Sequence, residues 1–85
     1  MTKHEAANTI INEIRALPKG RWGGYQTQET LVSIIDKVMG YDEYHLMSGR
    51  TMSKEPEKVH EIIRRMTERK IIIWAKSSAM FKLAI

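Results

Sequence analysis

The chain ends Ile71-Ile72-Ile73-Trp74-Ala75-Lys76-Ser77-Ser78-Ala79-Met80-Phe81-Lys82-Leu83-Ala84-Ile85, and this stretch decides the fold. Its second half alternates. Ala79, Phe81, Leu83 and Ile85 fall on one face of a strand, and Met80, Lys82 and Ala84 on the other, the period of two that a pleated strand imposes. The first half is apolar on both faces until Lys76. Ser77-Ser78 interrupts the two runs, so the stretch predicts a β-hairpin whose tip is Lys76-Ser77-Ser78. Immediately before it, between Ser53 and Lys70, Val59, Ile62, Ile63 and Met66 recur at helical spacing, which predicts an amphipathic helix leading straight into the hairpin.

Two more helices are predicted upstream. The first runs from Lys3 to Leu17, with Ala7, Ile10, Ile11, Ile14 and Leu17 as its stripe. Thr2 and Glu5 have the spacing of a capping box, and Pro18 and Gly20 stop the helix. The second runs from Gln28 to Met39. Leu31, Ile34, Ile35, Val38 and Met39 follow i, i+3, i+4, i+7, i+8, Thr27 suits the N-cap, and Gly40 suits the exit. Between these helices Gly23-Gly24 permits a tight path, and Tyr25-Gln26 offers a short strand beside the hairpin. Residues 41–52 read equally as a loop or as a single helical turn capped by Asp42 and running through Leu46, with a turn at Ser48-Gly49. The third helix is expected to start near Ser53, with Pro56 in its first turn.

With 85 residues, 42% of them hydrophobic and 28% charged, the expectation is one globular domain, 1–85. The longest apolar run, Ile71 to Ala75, is too short to cross a bilayer. Lys3, His4 and Glu5 lead into an amphipathic pattern instead of an apolar one, so a cytoplasmic protein without membrane contact is expected. There is no cysteine for a disulfide or a thiolate metal site. His4, His45 and His60 show no ligand spacing, no glycine-rich phosphate loop is present, and no nucleophile stands near a base. No metal, no cofactor and no enzymatic activity is expected.

Charge is distributed unevenly. Residues 1–52 carry six basic and six acidic side chains, while residues 53–85 carry eight basic and four acidic ones, so the whole net charge of +4 lies in the last helix and hairpin. A concentrated positive field attracts polyanions; a solvated surface that keeps the chain soluble is the plainer reading.

The order of elements, with Thr27-Gln28-Glu29-Thr30-Leu31 opening the second helix, resembles the winged helix-turn-helix superfamily. That resemblance implies an α+β, mostly helical fold, a three-helix winged helix-turn-helix with a C-terminal β-hairpin wing. It also implies a DNA-binding transcriptional regulator, with the third helix in the major groove and the hairpin tip on the backbone. Lys54, Lys58, Arg65 and Arg69 then form the outer row of the recognition helix. Arg50 and Ser53 stand at its start, and Lys76 and Ser77 reach phosphate from the wing. The expected partner is double-stranded DNA, bound by a homodimer on a two-part site. The connection between the second and third helices exceeds the three or four residues of a compact helix-turn-helix.

The alternative is a winged-helix protein-interaction module, an adaptor or inhibitor. Glu55, Glu57 and Glu61 lie toward the helix start, where carboxylates repel phosphate, and Glu61 with Arg65 makes an ordinary i, i+4 surface pair. Tyr41, Tyr44, Leu46, Met47 and Met52 supply apolar area for a partner or for the core. Trp22 and Trp74 are better suited to packing than to stacking on bases.

Overall fold

The computed structural model describes residues 2–18, 24–75 and 80–85. Among them helix α1 spans Lys3–Arg15, strand β1 Gln26–Thr27, helix α2 Gln28–Met39, strand β2 Glu43–His45, strand β3 Thr51–Ser53, helix α3 Pro56–Glu68, strand β4 Ile72–Trp74 and strand β5 Met80–Leu83. This is an α+β domain, roughly half helical, with three helices and two small antiparallel sheets among the described residues.

Each helix begins and ends for a local reason. The Thr2 hydroxyl accepts the Glu5 amide at 3.2 Å, the expected cap of α1. The buried stripe of α1 is Ala6, Ile10 and Ile14, with Ala7 and Ile11 only half-buried, so the inward face is turned slightly from the one the spacing predicts. On α2, Thr27 caps through the Thr30 amide, and Gly40 takes the left-handed conformation (φ 74°) that ends the helix. The Tyr41 amide then reaches back to the Asp36 carbonyl at 2.9 Å, satisfying an end carbonyl that would otherwise lack a partner. Leu31, Ile34 and Ile35 are buried as the pattern predicts, whereas Met39 is exposed.

Residues 41–52, open between a helical turn and a loop in the sequence, are neither. They form no helical turn from Asp42 to Leu46; they build a second hairpin, with Glu43 opposite Ser53, Tyr44 opposite Met52 and His45 opposite Thr51. Leu46 and Arg50 close a short loop whose Gly49 has φ 85°. A three-residue loop ending in a left-handed glycine is a standard hairpin connection, and it outcompetes a single isolated turn of helix, whose nucleation is unfavourable. Consequently α3 starts at Pro56 instead of near Ser53. Its amides need less capping there because proline lacks the N–H.

The C-terminal hairpin forms as predicted. Ile72 opposes Leu83, Ile73 opposes Lys82 and Trp74 opposes Phe81. The expected short strand beside it is present one residue later than Tyr25-Gln26: Gln26 pairs with Phe81 and Thr27 with Met80, giving the sheet order β1-β5-β4. The expected tip, Lys76 to Ser78, lies outside the described residues.

One apolar cluster joins the three helices to β4 and β5: Ile10 and Ile14 of α1, Leu31, Ile34 and Ile35 of α2, Val59, Ile63 and Met66 of α3, Ile72 of β4 and Phe81 of β5. Phe81 is fully buried and stacks its ring against Trp74 with centroids 5.8 Å apart and planes tilted by 55°. The Trp74 indole N–H donates to the Thr67 hydroxyl at 3.0 Å, so this tryptophan is a packing residue with its polar edge satisfied.

Candidate nucleic-acid interface

Helix α3 turns Val59, Ile63 and Met66 inward and carries its charges on the rest of its circumference. What lies on either flank decides which charges stand together. On one flank, a groove of about 710 Å³ runs between α3 and α1 and is lined by Lys58, Arg65 and Arg69 along with Ala7, Met39 and Tyr41. On the other, a cleft of about 440 Å³ lies between α3, β3 and the start of α2, lined by Arg50, Thr51, Pro56 and His60 together with Thr27 and Gln28. The residues predicted from sequence therefore do not form one patch. Lys58, Arg65 and Arg69 are brought together beside α1, and Arg50 is placed across the helix from them. Lys54 is exposed at the entry to α3. Lys76 and Ser77 lie outside the described residues, as does Trp22.

Ser53 is removed from the surface. It is 5% exposed, its hydroxyl donates to Asp36 Oδ1 at 2.6 Å, and it accepts the Glu55 amide at 3.0 Å. Both bonding directions are used internally, so the predicted phosphate contact is replaced by a structural one.

The acidic residues that the sequence places on α3 are engaged with its arginines. Glu61 accepts from Arg64 at 2.6 Å and from Arg65 at 3.2 Å, and Arg64 also reaches Glu68 at 2.8 Å. The Arg64 guanidinium holds the Glu61 carboxyl below the usual carboxylate range, chiefly through their hydrogen bond, and the Glu61 carboxylate pushes Arg64 up. Lys58 lies 3.8 Å from Glu55 and over the Tyr41 ring at 5.6 Å from its centroid. Among the described residues Arg50, Lys54, Arg69 and Lys70 make no ion pair. Arg64 is the cation that the row of Lys54, Lys58, Arg65 and Arg69 omits. Its signal was the Glu61 and Glu68 spacing three before and four after it, which ties it to the same network as Arg65.

A polar group not singled out in the sequence lies beneath the second hairpin. Asp36 of α2 is 1% exposed, and Glu43 of β2 stands near it. Burial pushes the Glu43 carboxyl up, and the neighbouring Asp36 carboxyl pushes it the same way. The Ser33 hydroxyl and His45 act in the opposite direction. Thr51 of β3 is tethered separately, its amide donating to Glu29 Oε1 at 3.1 Å.

Among the described residues no group of three or more His, Cys, Asp or Glu side chains is placed to hold a metal ion, and no helix is long and apolar enough to cross a membrane. Compared with family models, with curated proteins and with solved structures, the chain finds no match.

Proposed function

We propose that the chain is a winged-helix module that binds double-stranded DNA without catalysis or cofactor, acting as a small transcriptional regulator. The observation that carries this reading is the way α3 runs directly into the β4–β5 hairpin, with β1 adding a third strand on the far side of β5. A helix with a charged outer face is thus followed at once by a hairpin, in the part of the chain that holds all the excess positive charge. In this reading α3 lies in the major groove and the hairpin follows the adjacent backbone, while a homodimer places two such helices on a two-part site. Arg50 and Lys54 serve one flank of α3, and Lys58, Arg65 and Arg69 the other. The Glu61 and Glu68 pairs are exposed ones of low strength, so Arg64 and Arg65 are able to exchange carboxylate for phosphate.

Fluorescence anisotropy with a mixed-sequence labelled duplex across a salt series tests it. The expected outcome is binding that weakens steeply with salt, with a log–log slope of about −0.9 per phosphate neutralised. Absence of binding at low salt rejects the proposal.

A second reading, a protein-interaction module, is favoured by the groove beside α1. Its wall includes Met39, Tyr41 and Ile62 together with the basic rim, a composition that suits an apolar anchor with acidic neighbours. A pull-down that retains a partner through wild type and loses it on Tyr41→Ala, in a chain that fails the duplex test, supports this reading over the first.

A further inference from the structure

The seam between α2 and the β2–β3 hairpin holds a buried carboxyl, Asp36, with a half-buried one, Glu43, beside it. Asp36 is 1% exposed, and its Oδ2 is buried without a hydrogen-bond partner among the described residues. The other oxygen, Oδ1, accepts from the Ser53 hydroxyl at 2.6 Å. Ser53 stands directly opposite Glu43 in the β2–β3 ladder, and opposed residues project to the same face of the ribbon. The register that brings Ser53 to Asp36 therefore delivers Glu43 to the same place. A buried acceptor without a donor is costly, and a second carboxylate beside it is costlier still unless a proton lies between them.

We propose that Glu43 and Asp36 share one proton across this seam, Glu43 donating it to Asp36 Oδ2, and that this proton latches the second hairpin onto α2. The proposal is independent of the DNA reading. The groups facing the pair are the Ser33 hydroxyl from α2, Ser53 from β3 and His45 from β2. His45 is held by Thr51 Oγ1 at 3.0 Å. The nearby charges of α2 are committed elsewhere, Glu29 to the Thr51 amide and Lys37 to Glu13 at 3.3 Å. Among the described residues no lysine or arginine pairs with either carboxyl. Burial and the neighbouring Asp36 both raise the Glu43 carboxyl above its ordinary value of 4.5. A group raised on folding stabilises fully below its unfolded-state pKa and loses that contribution as pH rises through the folded-state value. The latch is therefore closed in acid and released above the Glu43 titration.

The test uses the whole chain. The Glu43 carboxyl is titrated by carbon-13 NMR while amide exchange of residues 43–53 is followed from pH 4 to 8 and corrected for intrinsic rates. Expected is a Glu43 midpoint above the ordinary carboxylate value. Hairpin protection should fall by about tenfold for each pH unit of that elevation, with α1 and α3 keeping theirs. Glu43→Gln still donates to Asp36 Oδ2 and should hold protection constant across the range. Asp36→Asn should bring the Glu43 midpoint back toward ordinary; if that variant fails to fold, the wild-type midpoint and the Gln variant decide. A Glu43 midpoint at or below the ordinary value overturns the proposal, and so does a loss of hairpin protection that persists in Glu43→Gln. Recovery of protection at pH 8 by millimolar calcium beyond matched sodium chloride would make the pair a cation site and overturn it equally.

Discussion

Ser53 shows how much one hydroxyl settles in a domain this small. It donates to a buried carboxylate and accepts the first free amide before α3, so strand β3, helix α2 and the entry to α3 all meet at one oxygen. Ser53→Ala leaves Asp36 Oδ1 without its donor in a buried site. The expected cost is about 1–3 kcal/mol of folding stability, read by denaturant unfolding at fixed pH. A change below about 0.5 kcal/mol, the usual scale of an exposed substitution, would put Ser53 back at the surface. None of this was legible in the sequence. Asp36 stands between Ile35 and Lys37 and reads as the polar side of an amphipathic helix. Its burial comes from the hairpin that covers it, and no periodicity within α2 reports that cover.

At the scale of elements, the end of α3 carries a local conflict. Lys70 has φ 56°, the left-handed conformation, while the Ile71 amide reaches back to the Met66 carbonyl at 2.9 Å. This is the helix exit that glycine serves without strain. Lys70→Gly is expected to raise stability by about 1 kcal/mol, measured by thermal or denaturant unfolding; a loss of stability would show that the lysine stem contributes more than the backbone strain removes. The elements that were legible are those with long, clean periods or strong punctuation: α2 between Thr27 and Gly40, and the hairpin from Ile71 to Ile85. The second hairpin was missed because each of its strands is three residues long, too short to display alternation. Ser48-Gly49 marked its turn correctly, but a turn alone does not say whether strands or a helix flank it.

For the whole molecule, the proposed DNA binding turns on how the positive charge is presented. Helical spacing separates buried from exposed residues on α3, but the neighbours on each flank decide which cations share a surface, and those neighbours are α1 on one side and β3 with the start of α2 on the other. Glu61 governs two of these cations. Under the DNA reading, Glu61→Gln releases Arg64 and Arg65 and should tighten duplex binding by about two- to fivefold, the range that weak, solvent-screened pairs allow. Anisotropy titration measures this; unchanged or weaker binding would remove this part of α3 from the interface. Reversing Lys58, Arg65 and Arg69 together should lower affinity and make the salt slope shallower by about one for each phosphate no longer neutralised, with thermal unfolding confirming that the fold survives.

Thr27 is at once the last residue of β1, paired with Met80, and the N-cap of α2. No spacer separates sheet from helix. The C-terminal hairpin is joined to the first turn of α2 through the pairing of β5 with β1. For the hairpin to swing away from α2, either the two β1–β5 pairs must break or that turn must unwind.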